Sequence, residues 1–153
     1  MFEASISAER DTTPQNPQLY VQPQGMLRKS AAVKIWDKIG VGKSGDGFGV
    51  YAIDDIKDNE TIEECPVIDM TRDEVKSTVL MDYLFKVSAD RYVLALGSGS
   101  IYNHRNQPNA RWEYDSEKNI LKIVATTAIE MGNEIYISFG KDYFKTREQN
   151  MKA

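Results

Sequence analysis

From Ala32 onward the apolar residues come in short runs, each closed by glycine or by a charged turn. That punctuation leaves room for many short strands and few helices. "VKIW", "GVYAI", "NETIEECPVI" and "RYVLAL" read as strands. Pro66 marks an edge or a break in pairing, because proline has no amide hydrogen to donate. "ARWEY" and "NILKIVA", joined by the polar "DSEKN", read as a hairpin. In "AIEMGNEIYISFG", Gly132-Asn133 forms a turn, and Ile135, Ile137 and Phe139 alternate with Tyr136 and Ser138. One segment carries a helical signature. Thr71 and Glu74 form the S/T-x-x-E capping box, and Val75, Val79, Tyr83, Leu84 and Val87 follow at roughly helical spacing. The pattern predicts a helix from Thr71 to about Lys86, within a fold that is mainly β with one principal helix.

The first 28 or so residues differ. They lack apolar periodicity and hold three of the five prolines and four glutamines in "TPQNPQLYVQPQG". The expected organisation is a flexible arm over residues 1–30 and one folded domain over 31–153. At 153 residues, with 41% hydrophobic and 27% charged side chains, the composition is that of a globular protein. No apolar run approaches the roughly 18 residues of a membrane span, and "MFEASISAERDTTPQ" has neither the basic start nor the apolar centre of a secretory signal. The expectation is a soluble, intracellular protein. A single cysteine, Cys65, and a single histidine, His104, make a structural metal cluster improbable. A net charge of -4 gives no general reason to bind nucleic acid and is compatible with a basic peptide partner.

Two stretches invite chemistry. "GKSGDGFGVYA" holds four glycines between Gly42 and Gly49, which allows close backbone approach to a ligand or a plain turn. It does not match a dinucleotide or phosphate-loop pattern. In "IYNHRNQPNARW", His104 could act as a base or be structural, and no cysteine or serine signature accompanies it as a nucleophile. Asn103, Asn106 and Asn109 fit a turn network or a ligand site equally, because the amide offers two donors and an acceptor.

Taken together, "GFGVYA", "YNHRNQPNARW" and "GNEIYISFGKDYF", in that order, resemble the SET-domain family of protein-lysine methyltransferases, most nearly its compact viral members. The resemblance extends through "IEEC", "DYLF" and "ALGSGSIYNH" and covers roughly residues 33–146. It implies small β-sheets in which the Asn-His segment and the C-terminal segment pack in a knot-like arrangement, with S-adenosylmethionine as cofactor. By that similarity the backbone of Gly47, Phe48 and Gly49 lines the methionine part of the cofactor, and Asn103 bonds its amino group. His104 contributes backbone contacts to adenine and a buried side-chain bond, and Phe144 stacks on the adenine ring. A substrate lysine enters through an aromatic channel whose candidate walls are Phe48, Tyr83, Tyr136 and Phe139.

The resemblance has two departures. Phe139 stands where the family has its catalytic tyrosine, and Arg105 stands where it usually has a small serine. On an extended strand Tyr136, three residues earlier, points to the opposite face from Phe139. Tyr102 and Tyr83 are further hydroxyl candidates. The implied activity is lysine methylation of a protein or peptide by a homodimer. The alternative is a SET-like binding module that retains cofactor or peptide affinity without turnover.

Overall fold

The computed structural model describes residues 36–140 and 143. The arm and most of the "VKIW" strand lie outside them, and Trp36 itself is not in a strand. Among the described residues, nine strands form two sheets. The first contains β1 (Ile39–Ser44), β2 (Gly47–Ala52), β6 (Asn103–His104) and β9 (Glu134–Ile137), in the order β1-β2-β9-β6. The second contains β3 (Thr61–Thr71), β4 (Leu84–Lys86), β5 (Arg91–Ala95), β7 (Ala110–Asp115) and β8 (Ile120–Ala125), in the order β4-β5-β3-β8-β7.

The glycine-rich stretch is a hairpin turn. β1 and β2 pair from Ile39↔Ala52 to Ser44↔Gly47, and Gly45 takes the positive φ (56°) that closes the turn. The expected "DSEKN" hairpin also forms, with Ala110↔Ala125 through Asp115↔Ile120 in register. Pro66 falls where β3 passes from pairing with β8 to pairing with β5, so its missing amide interrupts no ladder.

The helix ends far sooner than its spacing implies. Of the segment from Thr71 to Lys86, only α1 (Arg72–Val75) is α-helical; a 3-10 turn follows at Val79–Asp82, and Leu84 already belongs to β4. The capping box forms, with the Thr71 N–H and hydroxyl both donating to Glu74 Oε2 at 2.7 and 2.8 Å. Ser77 then adopts φ 67°, which no helix continues. Downstream, Tyr83 and Leu84 line a cavity, Val87 packs on the core and Val79 is exposed, so their spacing mimicked a helix face without forming one.

Strand alternation builds the core. Val50, Leu121, Ile123, Ile135 and Ile137 are fully buried, each contributing about 1.5–3 kcal/mol of burial free energy. Phe85 and Trp112 meet edge to face at 5.2 Å on the margin of this core. Among the described residues no helix is long and apolar enough to cross a membrane.

Candidate functional site

The site is assembled by β2, β9 and β6. Val50 faces Ile135 and Tyr51 faces Glu134, while β6 runs parallel to β9 with Asn103↔Tyr136 and His104↔Ile137. Because side chains alternate along each strand, Val50, Ile135 and Ile137 turn to the core with His104 beside them. Tyr51, Glu134, Tyr136 and Asn103 share the opposite, polar face.

Glu134 is the hub of that face. Its carboxylate accepts from Ser44 Oγ at 2.9 Å, Tyr136 Oη at 2.7 Å and Asn103 Nδ2 at 2.7 Å. Burial pushes its pKa up, but the bonds from Asn103, Tyr136 and Ser44 prevail and hold the carboxyl below its ordinary range. The Asn103 amide nitrogen also donates to the Phe48 carbonyl at 3.0 Å. Both of its donor hydrogens are thus spent within the protein, and Oδ1 is the atom left to accept from a ligand. A Cβ on Gly49 would come within 2.9 Å of the Glu134 carboxyl carbon and 3.0 Å of Asn103 Nδ2, whereas one on Gly47 would meet nothing nearer than 4.0 Å. Gly49 therefore lets Glu134 and Asn103 close onto β2.

The histidine is held at both nitrogens. Its Nδ1 accepts the Phe139 N–H at 3.0 Å, which puts the ring proton on Nε2, 3.2 Å from Asn106 Oδ1. Asn109 works as a strand substitute, its Nδ2 donating to Glu134 O at 3.0 Å and its Oδ1 accepting from Tyr136 N at 2.7 Å. These bonds account for the asparagines of the "NHRNQPN" stretch as a network around β9.

Beyond Phe139 lies a cavity of about 640 Å³ whose lining includes Tyr83, Tyr92, Tyr102, Trp112, Phe139 and Tyr143. The Phe139 and Tyr143 rings are 4.8 Å apart, and the Tyr143 hydroxyl donates to Asp82 O at 3.1 Å. Tyr102 is 2% exposed and its hydroxyl donates to the buried Glu63 at 2.9 Å. Burial first, then the Glu63 charge, push the Tyr102 pKa well up, and the Cys65 thiol is raised by the same two causes.

Of the residues singled out from sequence, Tyr83 and Phe139 line the cavity, while Phe48 and Tyr136 are not among its lining. Phe48 is 62% exposed beside Asn103, and Tyr136 is engaged with Glu134 on the far face from Phe139. Gly47, Gly49, Asn103 and His104 gather around β2 and β6; Phe144 lies outside the described residues. Glu134 carried no assigned role in the sequence, whereas Asn109 was read there as part of a turn network or a ligand site and forms a network with β9. The available signal was an acid two places before Tyr136 in an otherwise apolar strand. Arg105, the second departure, stacks its guanidinium 4.2 Å above the Tyr136 ring.

Comparison with known proteins agrees with this geometry. The family model for the SET domain matches residues 47–140. The chain is 34% identical over 98 residues to a fission yeast (Schizosaccharomyces pombe) histone-lysine N-methyltransferase specific for H3 lysine-37, covering 61% of this chain and 67% of the relative. A Plasmodium falciparum crystal structure described as a histone methyltransferase superposes with a TM-score of 0.61 at 37% identity, covering 70% of this chain and 96% of the other. With Gly49, Asn103 and Glu134 from the three motifs converging on one face of β2, β6 and β9, the chain belongs to the SET-domain family of lysine methyltransferases.

Proposed function

We propose that this protein is an S-adenosylmethionine-dependent protein-lysine methyltransferase. The observation that carries the reading is the Asn103–Glu134 pair, an ionised carboxylate with an amide acceptor turned to ligand, close by the strand that leads to Phe139 and the aromatic cavity. An acceptor oxygen beside a carboxylate suits an ammonium group, so the residues fit the amino-acid part of that cofactor. Asn103 and Glu134 would hold it there, with the backbone of Gly47 to Gly49 and of His104 as further contacts and Phe144 against the adenine. When bound, the cofactor supplies an electrophilic methyl group on a sulfonium.

The chain's own contribution is alignment and desolvation. Tyr83, Tyr92, Trp112 and Phe139 offer aromatic walls to an incoming lysine side chain. A low-dielectric wall favours the neutral amine, which alone is nucleophilic, and lowers the lysine pKa. The same rings tolerate the cation formed after transfer. Positioning of this kind supplies several kcal/mol of barrier reduction without a covalent enzyme intermediate.

The substrate in this reading is a flexible basic protein segment, with the histone H3 tail as the first to test because a relative acts on H3. The active form would be a homodimer, checked by light scattering of the full chain. The second reading, a binding module without turnover, is favoured by Phe139 alone. Calorimetry with S-adenosylmethionine, followed by radiolabelled methyl transfer to H3 peptides, tests both: no cofactor binding overturns both readings, and binding without transfer selects the second.

A further inference from the structure

Arg105 carries five N–H donors and one full charge, and among the described residues no carboxylate lies within ion-pair distance of it. Its position is nevertheless fixed. The Arg105 N–H donates to Ile137 O at 3.2 Å, which continues the parallel β6–β9 pairing by one residue. Alternation then places Arg105 on the same face as Asn103, two residues away, and opposite to His104. The guanidinium carbon lies over the Tyr136 ring, 4.2 Å from its centre. Tyr136 in turn donates to Glu134, whose carboxylate already has three donors and makes no bond to Arg105.

The polar face therefore has two poles of opposite sign. One is the Glu134 carboxylate with Asn103 Oδ1. The other is a stacked guanidinium with its hydrogen-bonding fork unspent. Side chains two residues apart on a strand start about 6.5–7 Å from each other. An arginine arm is long enough to reach across such a gap toward a carboxylate whose ammonium sits at Asn103 and Glu134. A planar fork is also the cation best matched to a carboxylate.

We propose that Arg105 binds the carboxylate of the cofactor's amino-acid moiety while Asn103 and Glu134 take its ammonium, so that the polar face reads a zwitterion. This assignment rests on the methyltransferase reading. It gives Arg105, which departs from the small residue expected at this place, a role in affinity and specificity, and it makes Tyr136 the platform that holds the guanidinium.

The test uses the full chain, as wild type, Arg105→Ala and Arg105→Lys, titrated calorimetrically with two probes. These are S-adenosylhomocysteine and its decarboxylated analogue S-adenosyl-3-thiopropylamine. Arg105→Ala is expected to weaken S-adenosylhomocysteine about 10- to 100-fold and leave the decarboxylated analogue unchanged. Arg105→Lys, which keeps the charge and loses the fork, falls between. An equal loss for both probes, or none for either, overturns the carboxylate assignment while the functional reading stands. A wild-type chain that binds neither probe overturns the functional reading and this inference with it.

Discussion

The Phe139 N–H donates to His104 Nδ1 at 3.0 Å, and the two rings lie 5.3 Å apart. One imidazole thus ties the residue at the mouth of the aromatic cavity to the strand that carries Asn103. A ring engaged at both nitrogens is a brace between two elements.

Replacing His104 by alanine leaves the Phe139 amide without its acceptor and removes the ring beneath Phe139. A loss of about 1–3 kcal/mol is expected, read as a lower urea midpoint with an unchanged slope. A change below about 0.5 kcal/mol would mean that water replaces the imidazole without penalty.

The two glycines of "GFG" should respond differently to alanine. Gly49→Ala sets a methyl group against the Glu134 carboxyl and the Asn103 amide, whereas Gly47→Ala meets only the Ser44 carbonyl at 4.0 Å, an ordinary contact. Thermal melting should show Gly49→Ala destabilised by about 1–3 kcal/mol and Gly47→Ala within about 0.5 kcal/mol of wild type. Equal effects would show that Glu134 moves aside freely.

Glu134 supplies a pH signature. Its carboxyl is held below the ordinary range in the folded chain, burial being outweighed by the bonds from Asn103, Tyr136 and Ser44. A carboxyl with a depressed folded pKa stabilises above its unfolded value, about 4.3, and loses that contribution as pH falls through the folded value. The difference in melting temperature between wild type and Glu134→Gln should be largest near neutrality and shrink below a pH of about 4. A difference independent of pH would place the effect in packing and not in charge.

Phe139→Tyr should raise the methyl-transfer rate by about tenfold or more with little change in peptide KM, since a hydroxyl that acts in the transition state moves kcat. If the native rate is already high and the substitution changes nothing, Tyr143, whose ring is 4.8 Å from Phe139, is the hydroxyl to remove next. Tyr143→Phe would then lower the rate while Tyr102→Phe, whose hydroxyl is committed to Glu63, would not act through the same step.

Much of the sheet architecture was legible because its rules are local. Alternation in "EIYISF" and "NILKIVA", and the polar turn between Asp115 and Asn119, are read within a few residues, and the hairpin formed as those cues imply. The helix over-extension has an equally local cause. Val79, Tyr83 and Leu84 keep a near-helical spacing, but the positive φ at Ser77 and the pairing of Leu84 with Leu94 depend on partners that periodicity does not encode. In the site, Asn103 and Phe139 could be found because they sit in recognisable motifs. The role of Glu134 could not, because only the register of β9 against β2 and β6 brings its carboxylate to Asn103, Ser44 and Gly49. Asn109 is a similar case, since its amide imitates a strand only once β9 lies beside it.

The parallel pairing of β6 with β9 has a consequence for the order of assembly. β1, β2 and all five strands of the second sheet precede Glu134 in the chain, so a growing polypeptide can form both hairpins and much of its core before β9 exists. Asn103 meanwhile waits without its carboxylate, and His104 without the amide it will accept. The polar face closes only when the last strand reaches both β6 and β2, and its pairing with β2 has the highest sequence separation among the described strand pairs, a kind of contact that ordinarily forms slowly. A nascent chain therefore acquires its architecture first and the Asn103–Glu134 pair last.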